Sequence, residues 1–198
     1  MELMKMHHHH HVCVVAPVEA ARTGRHLQRY THNHRRLVVG CIPYRFKNKI
    51  NGRNGNIDEA AAAAARSEDE LEILVISSKK TPQIMMFPKG GWESDESVEE
   101  AACRESLEEA GVVGNVEGEL GRWVFRSKSR DDKYHEGLMF PLQVTHQLDL
   151  WPEKPLRSRQ WMPVADARQA CTAAGSYFWM REALDKLVHR LITHHPLT

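Results

Sequence analysis

Gly90-Gly91-Trp92-Glu93-Ser94-Asp95-Glu96-Ser97-Val98-Glu99-Glu100-Ala101-Ala102-Cys103-Arg104-Glu105-Ser106-Leu107-Glu108-Glu109-Ala110-Gly111-Val112 is the stretch that decides how this chain is read. Pro88-Lys89-Gly90-Gly91 before and into it reads as a loop, because glycine takes backbone conformations that other residues resist. Ser97–Ala110 reads as a helix. Asp95 or Ser97 can cap it, and Ser97 with Glu100 has capping-box spacing. Gly111 supplies the stop. Inside the helix, Val98, Ala101, Ala102 and Leu107 offer apolar contacts, while Glu105, Glu108 and Glu109 fall at i, i+3 and i+4 on one face. Three clustered carboxylates repel one another, at a few tenths of a kcal/mol per exposed pair. A divalent cation reverses that sign, and hard oxygen ligands suit Mg2+ or Mn2+. Arg104 can pair with Glu108 or reach back to Glu96. A solvated acidic helix face would give the same carboxylate spacing. The glycine loop, the isolated Arg104 and the closing Gly111-Val112 favour a metal site.

With those residues in view, the stretch resembles the Nudix signature G-x5-E-x7-R-E-U-x-E-E-x-G-U, where U is apolar. The fixed positions fall on Gly90, Glu96, Arg104, Glu105, Glu108, Glu109, Gly111 and Val112. Ser106 departs from the pattern at a packing position. Further segments extend the resemblance: Thr23-Gly24-Arg25, Gln28-Arg29-Tyr30, Val39–Arg45, Phe87–Glu93, Glu136–Phe140 and Leu150-Trp151-Pro152-Glu153. They are similar to plant Nudix hydrolases related to diphosphoinositol polyphosphate phosphohydrolases. The resemblance covers roughly residues 22–192 and implies one Nudix-type α/β/α sandwich with a mixed sheet between helices. It also implies Glu105 and Glu109 as ligands for Mg2+ or Mn2+. Glu108 is implied as a further ligand or as the catalytic general base. The same resemblance implies that Glu96, Arg104 and Gly111 brace the loop and helix, and that Gly90 and Gly91 let the backbone approach metal and phosphate.

Outward from this centre, the apolar run Leu37–Tyr44 predicts a buried strand, and Leu71–Ile76 a second. Ile84–Phe87 is a short apolar segment. Strands are also predicted at Gly121–Phe125, Leu138–Val144 and Trp161–Pro163. Tyr177–Ile192 is amphipathic, with Phe178, Ala183, Leu184, Leu187, Val188 and Leu191 at helical spacing, and reads as a packing helix. Asn48–Asp69 carries two Asn-Gly turns and the alanine tract Ala60–Ala65, an expected insertion in a hairpin loop. Residues 1–21 are expected to be a disordered tail holding the run His7–His11, and 193–198 a C-terminal tail.

The 198 residues suit one domain with tails, and 41% hydrophobic with 27% charged residues is an ordinary soluble profile. A formal net charge of +1 gives no overall field toward nucleic acid or membrane, so neither is an expected partner. No apolar run approaches the roughly 18 residues of a membrane span. No secretory pattern opens the chain, so an intracellular site, cytosol or mitochondrion, is expected. The acid-poor, Arg-rich residues 1–36 leave two readings open, a mitochondrial presequence or an anion-binding part of the fold. Cys13, Cys41, Cys103 and Cys171 are widely spaced without a CxxC pair, which predicts reduced thiols and no zinc site.

A pyrophosphate substrate needs cations around it. Arg36, Lys89, Lys128, Arg130 and Lys133 are the candidates, with Arg25 and Arg29 behind them. Ser127–Arg130 follows a predicted strand, where a binding loop fits. His135 is read as a hydrogen-bonded surface histidine, and Trp92 and Trp151 as packing or base-stacking residues. The expected reaction is cleavage of a diphosphate in a highly phosphorylated small molecule. Diphosphoinositol polyphosphates come first and dinucleoside polyphosphates second, with ADP-ribose, NADH or coenzyme A as the alternative. A non-catalytic binding module would lack box glutamates, whereas all are present. mRNA decapping would call for an extended basic surface that the sequence does not display.

Overall fold

The apolar run around Val39 becomes the middle of the sheet. It lies in β2 (Arg36–Phe46), where Val39, Cys41 and Ile42 are fully buried and Val38 and Tyr44 nearly so. A strand buried at consecutive positions must be covered on both faces, which calls for a layered α/β arrangement. The computed structural model describes residues 11–13, 20–47, 67–127, 133–173 and 178–193. The Ala60–Ala65 tract, His7–His10, Lys128 and Arg130 lie outside the described residues.

β2 runs parallel to β8 (Tyr134–Gln147), in register from Arg36 opposite His135 to Tyr44 opposite Gln143. On its other side β2 pairs antiparallel with β3 (Leu71–Ser77), which follows a 3-10 turn at Glu68–Glu70 and pairs with β4 (Met85–Met86) and β9 (Arg159–Pro163). β5 (Lys89–Gly91) also pairs with β2. β6 (Val112–Val116) and β7 (Gly121–Arg126) both pair with β8. The sheet is therefore mixed. Helix α1 (Val98–Ala110) packs on β2, β5 and β6. Helix α2 (Val164–Ala173) packs on β3, β4 and β9, and α3 (Phe178–Thr193) lies against α2 and β7. This is the α/β sandwich with a mixed sheet that the sequence implied.

α1 begins where its caps dictate. Ser97 Oγ accepts the Glu100 N–H at 3.1 Å, and Glu100 Oε2 accepts the Ser97 N–H at 2.7 Å. Such a cap is worth about 1 kcal/mol. The helix ends at Gly111, whose φ of +63° is left-handed and whose N–H reaches Leu107 O at 3.0 Å. Ser106, the residue that departs from the signature, is fully buried. Its hydroxyl donates to Ala102 O at 2.8 Å, so a polar side chain fits an apolar site without an unmet hydrogen bond.

Several expectations change. Lys89–Gly91 is a short strand rather than a loop, because β2 pairs with its backbone irrespective of its low strand propensity. Within residues 1–21, β1 (His11–Val12) pairs with β6, and the Cys13 N–H reaches Gly114 O at 3.0 Å. That docking brings Cys13 Cα within 5.5 Å of Cys103 Cα, and the two form a disulfide. The expectation of reduced thiols therefore fails for this pair and stands only for buried Cys41 and Cys171. On α3, Ala183, Leu184, Leu187 and Val188 face the core as expected, joined by Trp179 and Met180. Phe178 does not, being the first helical residue and 69% exposed.

Candidate active site

Glu105, Glu108 and Glu109 occupy the last two turns of α1, all less than 10% exposed. Helical spacing puts them on one face, and burial makes their charges costly. Desolvation is the leading cause in each case and pushes all three carboxyls upward. Glu105 is raised to about 8, with the Glu109 charge adding to burial and Arg104 opposing it.

Each glutamate is held by a different part of the chain. Glu105 Oε1 accepts Arg104 Nη1 at 2.7 Å. Glu108 Oε1 accepts the backbone N–H of Arg22 at 3.2 Å, and its Oε2 lies 3.6 Å from Arg104 Nη1. Glu109 Oε2 accepts the Lys89 N–H at 2.8 Å, while its Oε1 is bonded by Arg157 Nη2. Arg104 is the hub. It grips Glu96 with Nε and Nη2 at 2.8 and 2.7 Å and reaches Gly91 O at 2.9 Å. Its pKa is raised despite burial because Glu96 and Glu105 favour the charged form. Glu96 also accepts the Glu93 N–H at 3.0 Å, so the pair fastens the loop before α1 to the helix itself.

The glycines have a steric role. A Cβ at Gly90 would overlap the Glu105 carboxylate, and one at Gly91 would overlap Gln28 Oε1 and crowd Arg36 Nη2. Gln28 accepts Arg36 Nε at 2.6 Å and donates to the carbonyls of Arg29, Leu37 and Trp92. Arg36 is thus braced over the glycine strand. Burial lowers its pKa, and the Arg25 charge lowers it further. His135, opposite Arg36 in the parallel ladder, is lowered by burial and then by Arg36 and Arg25. Its Nδ1 is buried without a hydrogen-bond partner. Arg25, Arg36, His135 and Lys89 therefore share one electrostatic neighbourhood beside Glu105.

The other candidates are placed elsewhere. Arg29 donates to Glu93 O and Ser94 O, both at 2.9 Å, and covers the Trp92 ring at 4.7 Å. Trp151 lies under Arg159 at 4.0 Å, and Arg159 donates to Ala110 O and Gly111 O at the end of α1. Lys133 is exposed at the start of β8. No local sequence pattern assigns a role to Arg22, Gln28, Glu153 or Arg157. Arg22 and Arg157 sit 86 and 48 residues from the glutamates they touch, a distance no local pattern spans.

The donor chemistry suits a hard divalent cation: three buried carboxylates on one helix face, next to a strand that carries two glycines in succession. Among the described residues no three His, Cys, Asp or Glu already converge at metal-holding separations. The glutamates are instead paired with their separate partners. No helix among the described residues is long and apolar enough to cross a membrane.

Comparison with known proteins agrees with this architecture. The family model described as NUDIX domain matches residues 58–187, and the chain belongs to the Nudix family, whose members are generally hydrolases of pyrophosphate bonds that need a divalent metal. It is 58% identical over 172 residues to Nudix hydrolase 17, mitochondrial, of Arabidopsis thaliana, covering 87% of this chain and 84% of that protein. It is 38% identical over 110 residues to diphosphoinositol polyphosphate phosphohydrolase 3-alpha of Mus musculus, covering 54% of this chain and 65% of that one. Among solved structures, a C. elegans Ap4A hydrolase binary complex superposes with a TM-score of 0.53 at 20% identity, covering 79% of this chain and 98% of that one.

Proposed function

We propose that the chain hydrolyses a diphosphate bond in a highly phosphorylated small molecule, diphosphoinositol polyphosphates first and dinucleoside polyphosphates second. The observation behind this reading is one juxtaposition. Of the buried carboxylates Glu105, Glu108 and Glu109, Glu105 abuts the bare backbone of Gly90 and Glu109 accepts the Lys89 N–H, and the cations Arg36, Lys89 and Arg25 adjoin this side of the helix with His135 among them. Likeness to the mouse diphosphoinositol enzyme supports the first substrate class, and likeness in fold to the Ap4A hydrolase keeps the second.

Glu105 and Glu109 would hold Mg2+ or Mn2+, with Glu108 as a further ligand or the base. When bound, such an ion neutralises charge developing on phosphoryl oxygens and lowers the pKa of water. The chain's own groups do the rest. Glu108 Oε1 is hydrogen-bonded by the Arg22 N–H, and Oε2 lies 3.6 Å from Arg104 Nη1, beyond hydrogen-bond reach, so Oε2 is the atom proposed to accept a proton from water. Water oxygen bonds to phosphorus as the bridging P–O bond breaks, and the leaving phosphate departs with the bond's electrons. Arg36, braced by Gln28, binds a neighbouring phosphate as a charged fork, and Lys89 adds a point charge. Gly90 and Gly91, whose side-chain space is taken by Glu105 and by Gln28, are proposed to offer their backbone to metal and phosphate. Lys128, Arg130 and Lys133 are proposed to meet outlying phosphates. The chain is proposed to work inside the cell, in cytosol or mitochondrion, in keeping with the mitochondrial naming of the Arabidopsis relative.

The test is phosphate release from a panel of diphosphoinositol polyphosphates, diadenosine polyphosphates, ADP-ribose, NADH and capped RNA, with Mg2+ or Mn2+ and a Glu108→Gln control. Metal-dependent turnover of the first class, lost in the control, is expected. Turnover of ADP-ribose or NADH alone would sink the substrate assignment. No turnover by folded protein with bound metal would replace the enzyme reading with a binding module.

A further inference from the structure

Glu109 is oriented from outside its own helix. Arg157 lies in the connection between β8 and β9, and its side chain is only 7% exposed. Its three nitrogens meet three fixed acceptors. Nη2 bonds Glu109 Oε1, Nε bonds Glu153 Oε2 at 2.6 Å, and Nη1 bonds Ser77 O at 2.9 Å. Each acceptor is fastened in turn. Ser77 sits at the end of β3, and its Oγ accepts the Ser158 N–H at 2.9 Å. Glu153 is buried, is bonded by Lys79, and donates its N–H to Glu108 O at 3.0 Å. A guanidinium is a planar fork with fixed donor directions, so it cannot turn toward one partner without losing another.

We propose that Arg157 is a positioning residue, which fixes the Glu109 carboxylate for the divalent ion and lies wholly outside the signature. The inference rests on reading Glu105, Glu108 and Glu109 as the ion-binding set. Three of the five guanidinium N–H donors of Arg157 are engaged within the fold and its side chain is only 7% exposed, which withdraws it from a substrate phosphate. Residues that hydrogen-bond a metal ligand from behind typically govern metal affinity by 10–100-fold.

The experiment is Mn2+ binding to the full chain after chelation, read by electron paramagnetic resonance of the free ion. Steady-state kcat and KM are measured alongside with the substrate the wild-type chain turns over. Arg157→Met is expected to weaken Mn2+ binding about tenfold or more and to lower kcat at saturating Mn2+, with KM changed less than twofold. Arg157→Lys keeps the charge but not the fork, so it should fold and still bind Mn2+ several-fold more weakly. If Arg157→Met fails to fold, the lysine variant decides. Unchanged Mn2+ affinity in a folded variant overturns the inference, whatever its melting temperature. So does a KM effect with Mn2+ affinity intact, which would assign Arg157 to the substrate. If the wild-type chain itself neither binds Mn2+ nor turns over any diphosphate, the reading of the site falls first and the inference with it.

Discussion

Replacing Cys13 and Cys103 together by serine removes a cross-link that spans 90 positions. In the chain-entropy account, closing a loop of that size costs the unfolded ensemble roughly 4–5 kcal/mol of freedom at 25 °C. That figure is an upper bound, because residual structure in the unfolded chain reduces it. The loop encloses β2 to β5 and the first part of α1, up to Cys103, so the constraint acts on the centre of the sheet rather than on a terminal flap. With a urea slope of about 2–3 kcal/mol per molar, the midpoint should fall by roughly 1.5–2 M. Urea unfolding followed by tryptophan fluorescence, with and without reductant, measures the shift, and the double variant should be insensitive to reductant. A thiol titration of the denatured, unreduced chain should find two thiols, Cys41 and Cys171, rising to four after reduction. Four thiols without reductant would refute the cross-link. Two thiols with an unmoved midpoint would refute the entropic argument while leaving the bond.

Gly90→Ala puts a methyl group into the Glu105 carboxylate, so Mn2+ affinity should drop at least tenfold while far-ultraviolet circular dichroism stays unchanged; unaltered binding would mean that the strand and Glu105 do not meet. Arg36→Ala should raise KM for the turned-over diphosphate about tenfold or more with kcat nearly intact, and a fall in kcat alone would remove Arg36 from substrate binding. The pH dependence of the metal-free chain has a definite sign. Glu105 is raised by burial from an unperturbed 4.5 to about 8, so between those values the folded chain binds more protons than the unfolded one. Stability in chelator should therefore fall as pH rises from about 5 to 8, a trend that saturating Mn2+ should weaken or reverse because the ion displaces the proton. Thermal unfolding at pH 6 and pH 8, each with chelator or Mn2+, checks it, and a higher melting point at pH 8 in chelator would contradict the burial of Glu105.

The parts legible in the sequence are those whose partners lie within a turn or two. The capping box, the left-handed Gly111 and the Arg104–Glu96 pair all fall within 90–112, so spacing alone displays them. Apolar runs such as Leu71–Ile76 and the α3 stripe follow from burial and were equally readable. What stayed hidden depends on docking between distant segments. β1 is two residues long and acquires its place from β6 and Cys103. β5 is Lys-Gly-Gly, a strand because β2 lies beside it. β6 carries Gly114 and Asn115 in mid-strand, and its pairing with β8 shifts register between Val113 and Gly114. α2 carries only a weak apolar face in Val164–Ala173 and was not anticipated. Arg22 and Arg157 look like ordinary charges until folding places them on Glu108 and Glu109.

The parallel pairing of β2 with β8 has a practical consequence for where the chain can be cut. The stretch that matches the family starts at residue 58, yet β2 occupies Arg36–Phe46 in the interior of the sheet. A recombinant fragment trimmed to that match would forfeit its central strand, leaving β3 and β8 with unpaired edges that invite aggregation. Gln28 and Arg22 move the usable boundary further upstream still. Here the match to the NUDIX domain is shorter than the sheet it belongs to.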